Sequence, residues 1–385
     1  MPLRERKLAN VHGICQRVYL MHSRQALSIL CRAVGYALLL SPDLALSQTT
    51  EAQRAATRTN LMVFHKPDGT AAPVRSEVDW LKRREEILRA AQQIMGPLPG
   101  PEKQCPLDPR VDSETDCGSY VRRAFTYASE PDSRVPAFLL VPKAALSGKK
   151  KFPAILALHP TDMEYGYLVV VEPLRASYRA YAADLAAHGF VVLAPAYPLM
   201  AAYQPDLKAL GYKSGTMKAI WDNLRGLDYL QSLPFVDSKR LGAIGHSLGG
   251  HNAIYSAVFD QRIKAVVSSC GFDSFLAYKD GDIRGWTSER YMPALLEYRE
   301  HLRDIPFDFF ELVGAVAPRP LFINAPLHDS NFKSQSVDEI VTAAIPIYSL
   351  YHARDNLRVV HPDCGHDFPP DIREAAYKFL DQRLK

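Results

Sequence analysis

From Tyr120 onward, short apolar runs alternate with stretches of helical periodicity. The runs are Tyr120 to Tyr127, Val135 to Val141, Pro153 to His159, Val191 to Ala194, Leu241 to Ile244, Ala265 to Ser269, Leu321 to Asn324 and Leu357 to Val360. They are enriched in β-branched residues, as strands buried on both faces are. Helical patterns fall between them at Tyr178 to Ala187, Ser214 to Leu233, Gly249 to Phe259, Val337 to Tyr351 and Asp371 to Leu384. Strands alternating with helices predict an α/β fold, a mostly parallel eight-stranded sheet with helices on both faces. Gly271 to Val316 breaks the rhythm with aromatic and charged residues. It reads as an insertion after the sixth strand, lying over the carboxyl edge where such sheets bind ligands. Ahead of the strands, Val78 to Met95 forms an amphipathic pattern with Leu81, Ile87, Leu88, Ala91 and Ile94 on one stripe, closed by Gly96 and Pro97. Residues 48–119 are therefore expected to form a helical extension packed on the main domain, 120–385.

The first 47 residues differ in kind. Arg4, Arg6, Lys7, Arg17, Arg24 and Arg32 precede the apolar run Ala33 to Leu40, then Pro42 and Ala45-Leu46-Ser47. A basic start, a short apolar stretch and small residues at the cut describe a secretory signal peptide cleaved near Ser47, with translation from Met1 or Met21. No apolar run reaches the roughly 18 residues of a membrane span. Composition is that of a globular chain, 47% apolar and 23% charged over 385 residues. Six of the 46 Lys/Arg and two of the 42 Asp/Glu lie in the leader, leaving 40 of each in a formally neutral remainder. Nothing here favours nucleic acid or another polyanion as partner. Cys15 and Cys31 fall in the leader, and Cys105, Cys117, Cys270 and Cys364 remain. In an exported chain, Cys105 with Cys117, or Cys270 with Cys364 where the fold joins them, are disulfide candidates.

The chemistry concentrates in Arg240 to Ile254, RLGAIGHSLGGHNAI. Gly245-His246-Ser247-Leu248-Gly249 follows an apolar strand and opens a helix, the setting of a nucleophile elbow, where only glycine lets strand and helix approach closely. Ser247 is the candidate nucleophile. A serine hydroxyl needs a base within hydrogen-bond reach, and His366 lies in the loop between the last strand and the last helix. His361 competes but sits at the strand end, before Pro362. A third group must hold the imidazole tautomer. Asp329, in the loop after strand PLFINA, is the candidate acid; Asp273, after the preceding strand, is the alternative, and Asp367 adjoins the histidine too closely.

Acyl transfer also needs two backbone donors for the oxyanion. Leu248 supplies the first. The second comes from LALHPTDMEYG, where Pro160 has no N–H and Thr161 carries the next amide, with His159 as a buttress. Trp286, Tyr291 and Met292 in the insertion and Tyr165 and Tyr167 after the oxyanion loop could wall a substrate pocket. His246, beside the serine, is a further substrate-side candidate, although the elbow should turn it sideways.

At these residues the chain resembles the α/β-hydrolase superfamily over Tyr120 to Lys385, and within it the dienelactone-hydrolase and acetylxylan-esterase-like serine esterases. The resemblance rests on WLKRREEIL with MGPLPG, LHPT, GHSLGG, SSCGF, GWTSERYMP, APRPLFINAPLHDSNF and CGHDFP, segments similar to an often exported bacterial branch. It implies the triad Ser247, Asp329 and His366 but does not fix a substrate; the triad chemistry, which needs no metal or organic cofactor, and the formally neutral remainder point to hydrolysis of a small-molecule carboxylic ester, small or sugar-linked and uncharged. Two departures matter. Dienelactone hydrolases use a cysteine nucleophile, and glucuronoyl esterases carry an arginine after the serine where this chain has Leu248, so the charge partner for an acidic sugar is missing. The alternatives are an amide or peptide hydrolase with the same triad, and a silent binding protein on the same fold. About 70 residues from Gln48 to Cys117 are too few for the propeller of a prolyl-oligopeptidase type peptidase.

Overall fold

Runs without polar alternation become the centre of a nine-stranded sheet. The computed structural model describes residues 58–174 and 179–385; the leader 1–47 and the helix start expected at Tyr178 lie outside them. In chain order the elements are β1 (Val63–His65), β2 (Ala71–Pro73), α1 (Glu77–Met95), β3 (Arg110–Asp116), β4 (Tyr120–Glu130), β5 (Ser133–Pro142), β6 (Phe152–Leu158), α2 (Tyr181–Ala187), β7 (Val191–Pro195), α3 (Gly215–Ser232), β8 (Val236–His246), α4 (Leu248–Phe259), β9 (Ile263–Ser269), α5 (Phe309–Val316), β10 (Leu321–Asn324), α6 (Ser334–Leu350), β11 (Leu357–Val360) and α7 (Pro370–Leu384).

The strand order is β11-β10-β9-β8-β6-β7-β5-β4-β3. The pairs from β6 to β11 are parallel, while β3, β4 and β5 form an antiparallel flank joined through β5 to β7. Alternate residues feed two cores. Ala154, Leu156 and Leu158 of β6 pack with α1, α3, α4, α5 and α6, whereas Ile155 and Ala157 pack with α2 and α7. After β6 the chain turns to β7 on one side, and β8 lies on the other. This is the switch point at whose carboxyl end open sheets bind ligands. Leu158 pairs with Gly245 there, so the loops after β6 and β8 emerge together.

Three sequence expectations change. The sheet has nine strands because Arg110–Asp116 pairs with β4, although all seven of its residues are exposed and show no apolar face. The expected insertion ends in a regular helix, α5, whose eight residues are all buried. On α1 the expected Ile87, Ala91 and Ile94 are buried, but Trp80 and Arg83 extend that stripe in place of Leu81, which is 49% exposed. Ser76 caps α1 by accepting from the Asp79 amide. Arg83 pairs with the buried Glu311 of α5, and Arg84 donates to Ala315 O at 3.2 Å. The four cysteines of the described residues, Cys105, Cys117, Cys270 and Cys364, are free thiols. No helix among the described residues is long and apolar enough to cross a membrane.

Candidate active site

Between β8 and α4 the backbone makes a turn that few side chains tolerate. Ser247 has φ 54° and ψ −120°, a conformation costly for any residue with a Cβ. Its neighbours must be glycine. A Cβ on Gly245 would stand 2.1 Å from the Gly249 carbonyl, and one on Gly249 would stand 1.9 Å from Leu158 O. The turn is tied down by the Ser247 amide, which donates to Ser269 O at 2.8 Å.

His366, in the loop between β11 and α7, reaches the serine. Its Nε2 is 2.9 Å from Ser247 Oγ, and its Nδ1 is 2.9 Å from both carboxylate oxygens of Asp329. Asp329 Oδ1 also accepts from the amides of Asn331 (2.7 Å) and Phe332 (3.2 Å). Burial pushes this carboxyl's pKa up, but the His366 hydrogen bond and charge and the two amides outweigh it and hold the group below its ordinary range. A carboxylate therefore faces Nδ1, which carries the ring proton and leaves Nε2 free to accept from the serine. The His366 loop is itself held, since Asp367 O accepts from Asn324 Nδ2 at 3.0 Å and from Cys270 Sγ at 3.2 Å. Asn324 does not stand out in the sequence, where it merely ends a strand, and Cys270 reads there as a disulfide candidate rather than as a support for this loop.

Competing groups are bound elsewhere. His361 is held between Ala325 O (2.7 Å) and Asp338 (2.9 Å). Asp273 is 1% exposed and accepts from the Lys333 amide at 3.0 Å, and its Oδ1 has no hydrogen-bond partner among the described residues. Burial pushes its pKa up to about 8, and that of the buried Asp308 to about 7. Both folded values exceed the unfolded value near 4, so between pH 4 and 8 the unfolded chain binds fewer protons and stability falls as pH rises. Each group contributes a slope of up to about 1.4 kcal/mol per pH unit. Urea midpoints are expected to be lower at pH 8.5 than at pH 5.5, and Asp273→Asn should flatten that dependence.

The two residues expected to supply oxyanion donors, Leu248 and Thr161, line the same cavity as the serine. Leu248 is the first residue of α4, so its N–H has no intrahelical acceptor. Thr161 follows β6, and among the described residues its N–H makes no backbone hydrogen bond, while its Oγ1 is 3.0 Å from Tyr291 OH. His159 steadies that loop. Its Nδ1 is 2.8 Å from Pro160 O, its Nε2 accepts from the Tyr197 amide at 3.0 Å, and burial lowers its pKa to about 4.

A cavity of about 130 Å³ adjoins these groups, lined by Thr161, Ser247, Leu248, Trp286 and Tyr291, with His251, Tyr278, Gly285, Asn331 and Phe332. The last five were not singled out from sequence. Conversely, four expected substrate-side residues lie outside it. His246 is fully buried, with Nδ1 3.0 Å from Ser269 Oγ and its ring 5.0 Å from that of His366; burial drives its pKa well down and keeps it neutral. Tyr165 packs against the α2/α7 core. Met292 and Tyr167 are also absent from the lining, Met292 being fully buried. A larger surface cleft of about 780 Å³ between Phe64 and Gln93 has no serine, threonine or cysteine among its described lining residues. Cys270 Sγ, Asp329 and His366 place ligand-type atoms within 4.8 Å of one another. Burial raises the Cys270 pKa well above the ordinary thiol value, and the other two groups are already bonded together.

A serine on the turn after β8, with a histidine and an aspartate from the loops after β11 and β10, sits on the sheet of an α/β-hydrolase. The chain's resemblance to serine esterases of this type extends to one particular group. A family model described as "Glucuronyl esterase, fungi" matches residues 207–351. The Bacillus subtilis protein YtaP, named as a hydrolase, is 32% identical over 166 residues, 43% of this chain and 53% of that protein. A 4-O-methyl-glucuronoyl methylesterase of Phanerochaete carnosa is 24% identical over 185 residues, 43% of this chain and 45% of that protein. The chain thus spans about half the length of these curated relatives. Among solved structures, a glucuronoyl esterase from Solibacter usitatus superposes with TM-score 0.68 at 20% identity, covering 85% of this chain and 98% of that one. An acetyl xylan esterase from Paenibacillus sp. R4 gives 0.52 at 18%, covering 80% and 96%. These likenesses establish the fold.

Proposed function

We propose that the protein is a carboxylic ester hydrolase working through an acyl-enzyme on a small or sugar-linked ester. The observation that carries this reading is His366 bridging Ser247 and Asp329 with hydrogen bonds of 2.9 Å on both sides. In the first half-reaction Nε2 takes the hydroxyl proton as Oγ attacks the ester carbonyl, and Asp329 stabilises the resulting imidazolium. The amides of Leu248 and Thr161 receive the oxyanion, each such donor being worth about 10²- to 10³-fold in rate. His366 then protonates the leaving alkoxide, accepts a proton from water and returns it to Ser247 as the acid product leaves. Every proton is passed at Nε2.

The names of the relatives favour a carbohydrate-linked ester. Leu248, in place of the arginine that follows the serine in glucuronoyl esterases, favours a substrate without a charged sugar acid near the elbow. We further infer export, with residues 1–47 as the signal segment and 48–119 as a support packed on the catalytic domain. A panel of acetylated sugars, short-chain aryl esters, methyl glucuronate esters and matched anilides tests the reading. Turnover of esters at least about 100-fold above anilides is the expected result, and anilide turnover equal to that of esters overturns it. That contrast reads the two leaving groups, since the acyl part is held constant.

A further inference from the structure

Two residues that line the cavity beside Ser247, His251 and Trp286, carry buried polar atoms that the mechanism does not use. His251 lies one helical turn beyond the serine on α4, 5% exposed, with Nδ1 3.0 Å from the Gly271 carbonyl. A carbonyl only accepts, so Nδ1 carries the ring proton and Nε2 keeps a lone pair. Burial pushes the pKa of this imidazole down to about 3, so it stays neutral. Nε2 has no hydrogen-bond partner among the described residues. Trp286 is 3% exposed, its ring centroid is 4.8 Å from that of His251, and its Nε1–H is likewise unpaired among the described residues. Both rings line the cavity. Buried polar atoms are nearly always paired, and an unpaired one carries a free-energy penalty.

An acceptor and a donor on two rings whose centroids are 4.8 Å apart match one hydroxyl, which gives one hydrogen bond and takes another. An acetyl methyl group would leave both atoms unsatisfied. The place of the hydroxyl follows from the helix, because residues at i and i+4 stand roughly 5–6 Å apart. A hydroxyl on the carbon next to a carbonyl held at Ser247 spans that gap. At about 130 Å³ the cavity is well below the ~300 Å³ at which sites begin to take drug-sized ligands. That suits a two- or three-carbon acyl group held through the acyl-enzyme stage better than an alcohol that must leave with the rest of its molecule.

Building on the ester-hydrolase reading, we propose that the cavity is an acyl subsite selective for short α-hydroxyacyl esters, with His251 Nε2 accepting from the α-hydroxyl and the Trp286 N–H donating to it. Phenyl glycolate, phenyl methoxyacetate and phenyl acetate test this by kcat/KM, each divided by its hydroxide-catalysed rate to remove the inductive effect of the oxygen. Glycolate is expected to exceed the other two by about 10-fold or more, because methoxyacetate cannot donate and acetate can do neither. Trp286→Phe keeps an aromatic ring and deletes the N–H together with the rest of the pyrrole ring. His251→Asn keeps a donor for Gly271 O and removes the acceptor at the Nε2 position, its own carbonyl oxygen lying nearer the main chain. Each should bring the normalised ratio to within about 3-fold of unity, with circular dichroism verifying the fold. Equal normalised rates in the wild type overturn the subsite whether or not either variant folds, and so do folded variants that keep the preference. If all three esters are inert and a fluorophosphonate fails to label Ser247, the ester-hydrolase reading falls and the subsite with it.

Discussion

Ser247→Ala is expected to lose about 10⁴- to 10⁶-fold in kcat on any ester that the wild type turns over, the scale seen when a serine nucleophile is removed from an intact triad. No other hydroxyl lies within hydrogen-bond distance of His366 Nε2 among the described residues. Saturation with substrate should still occur, because the amides of Leu248 and Thr161 are backbone groups that the substitution leaves in place. Stability reports on the same residue from another side. Alanine keeps the Cβ, so the strained φ of 54° persists in that variant. Ser247→Gly removes the Cβ, and a residue held in such a conformation costs on the order of 1–3 kcal/mol. The glycine variant is therefore expected to be inactive and yet about 1 kcal/mol more stable than the alanine variant in urea titration. If glycine proves less stable than alanine, the elbow is not a site of stored strain. An alanine variant with more than about one hundredth of the wild-type rate removes Ser247 from the mechanism.

Why the elbow was legible while its surroundings were not comes down to what each position must satisfy. Gly245 and Gly249 have no alternative residue, because a Cβ at either enters backbone atoms within 2.1 Å. That constraint is written directly in the chain. Buried parallel strands are equally plain, since β6, β7 and β10 are apolar at nearly every position. β3 is the opposite case: it joins the sheet through its backbone and exposed ion pairs such as Glu114 with Arg123, so RVDSETD carries no apolar pattern to read. α5 is buried all round, which erases the period that would mark a helix. His246 and His251 show a subtler limit. One is adjacent to the nucleophile and the other four residues on, yet only the second faces the cavity, because the elbow turns the neighbour away and the helix brings the next turn back. Asn331 and Phe332 reach the cleft only through the path of the loop that also carries Asp329.

That loop makes Asp329→Asn the second decisive substitution, with an expected loss of about 10⁴-fold in kcat, the size associated with a histidine held in the wrong tautomer. The direction follows from the hydrogen bonds. Asn331 and Phe332 donate their amides to one side of the Asp329 side chain. In the variant those donors hold the amide oxygen, so the NH₂ group is turned towards His366 Nδ1. A nitrogen facing a donor has to accept, which moves the ring proton to Nε2 and leaves the serine without a base. The alternative acid provides the control. Asp273 is bonded to the Lys333 amide and makes no hydrogen bond to His366 among the described residues. Its pKa near 8 describes a carboxyl protonated at neutral pH, unsuited to stabilising an imidazolium. Asp273→Asn should therefore keep its rate within about 3-fold of wild type while altering stability at high pH. The reverse outcome, a fast Asp329→Asn enzyme and a dead Asp273→Asn one, would move the acid to the loop after β9 and require the His366 ring to turn away from its present partner. Equal and large losses in both would make the two carboxyls parts of one proton-sharing pair, which the 2.9 Å contacts of His366 with Asp329 alone argue against.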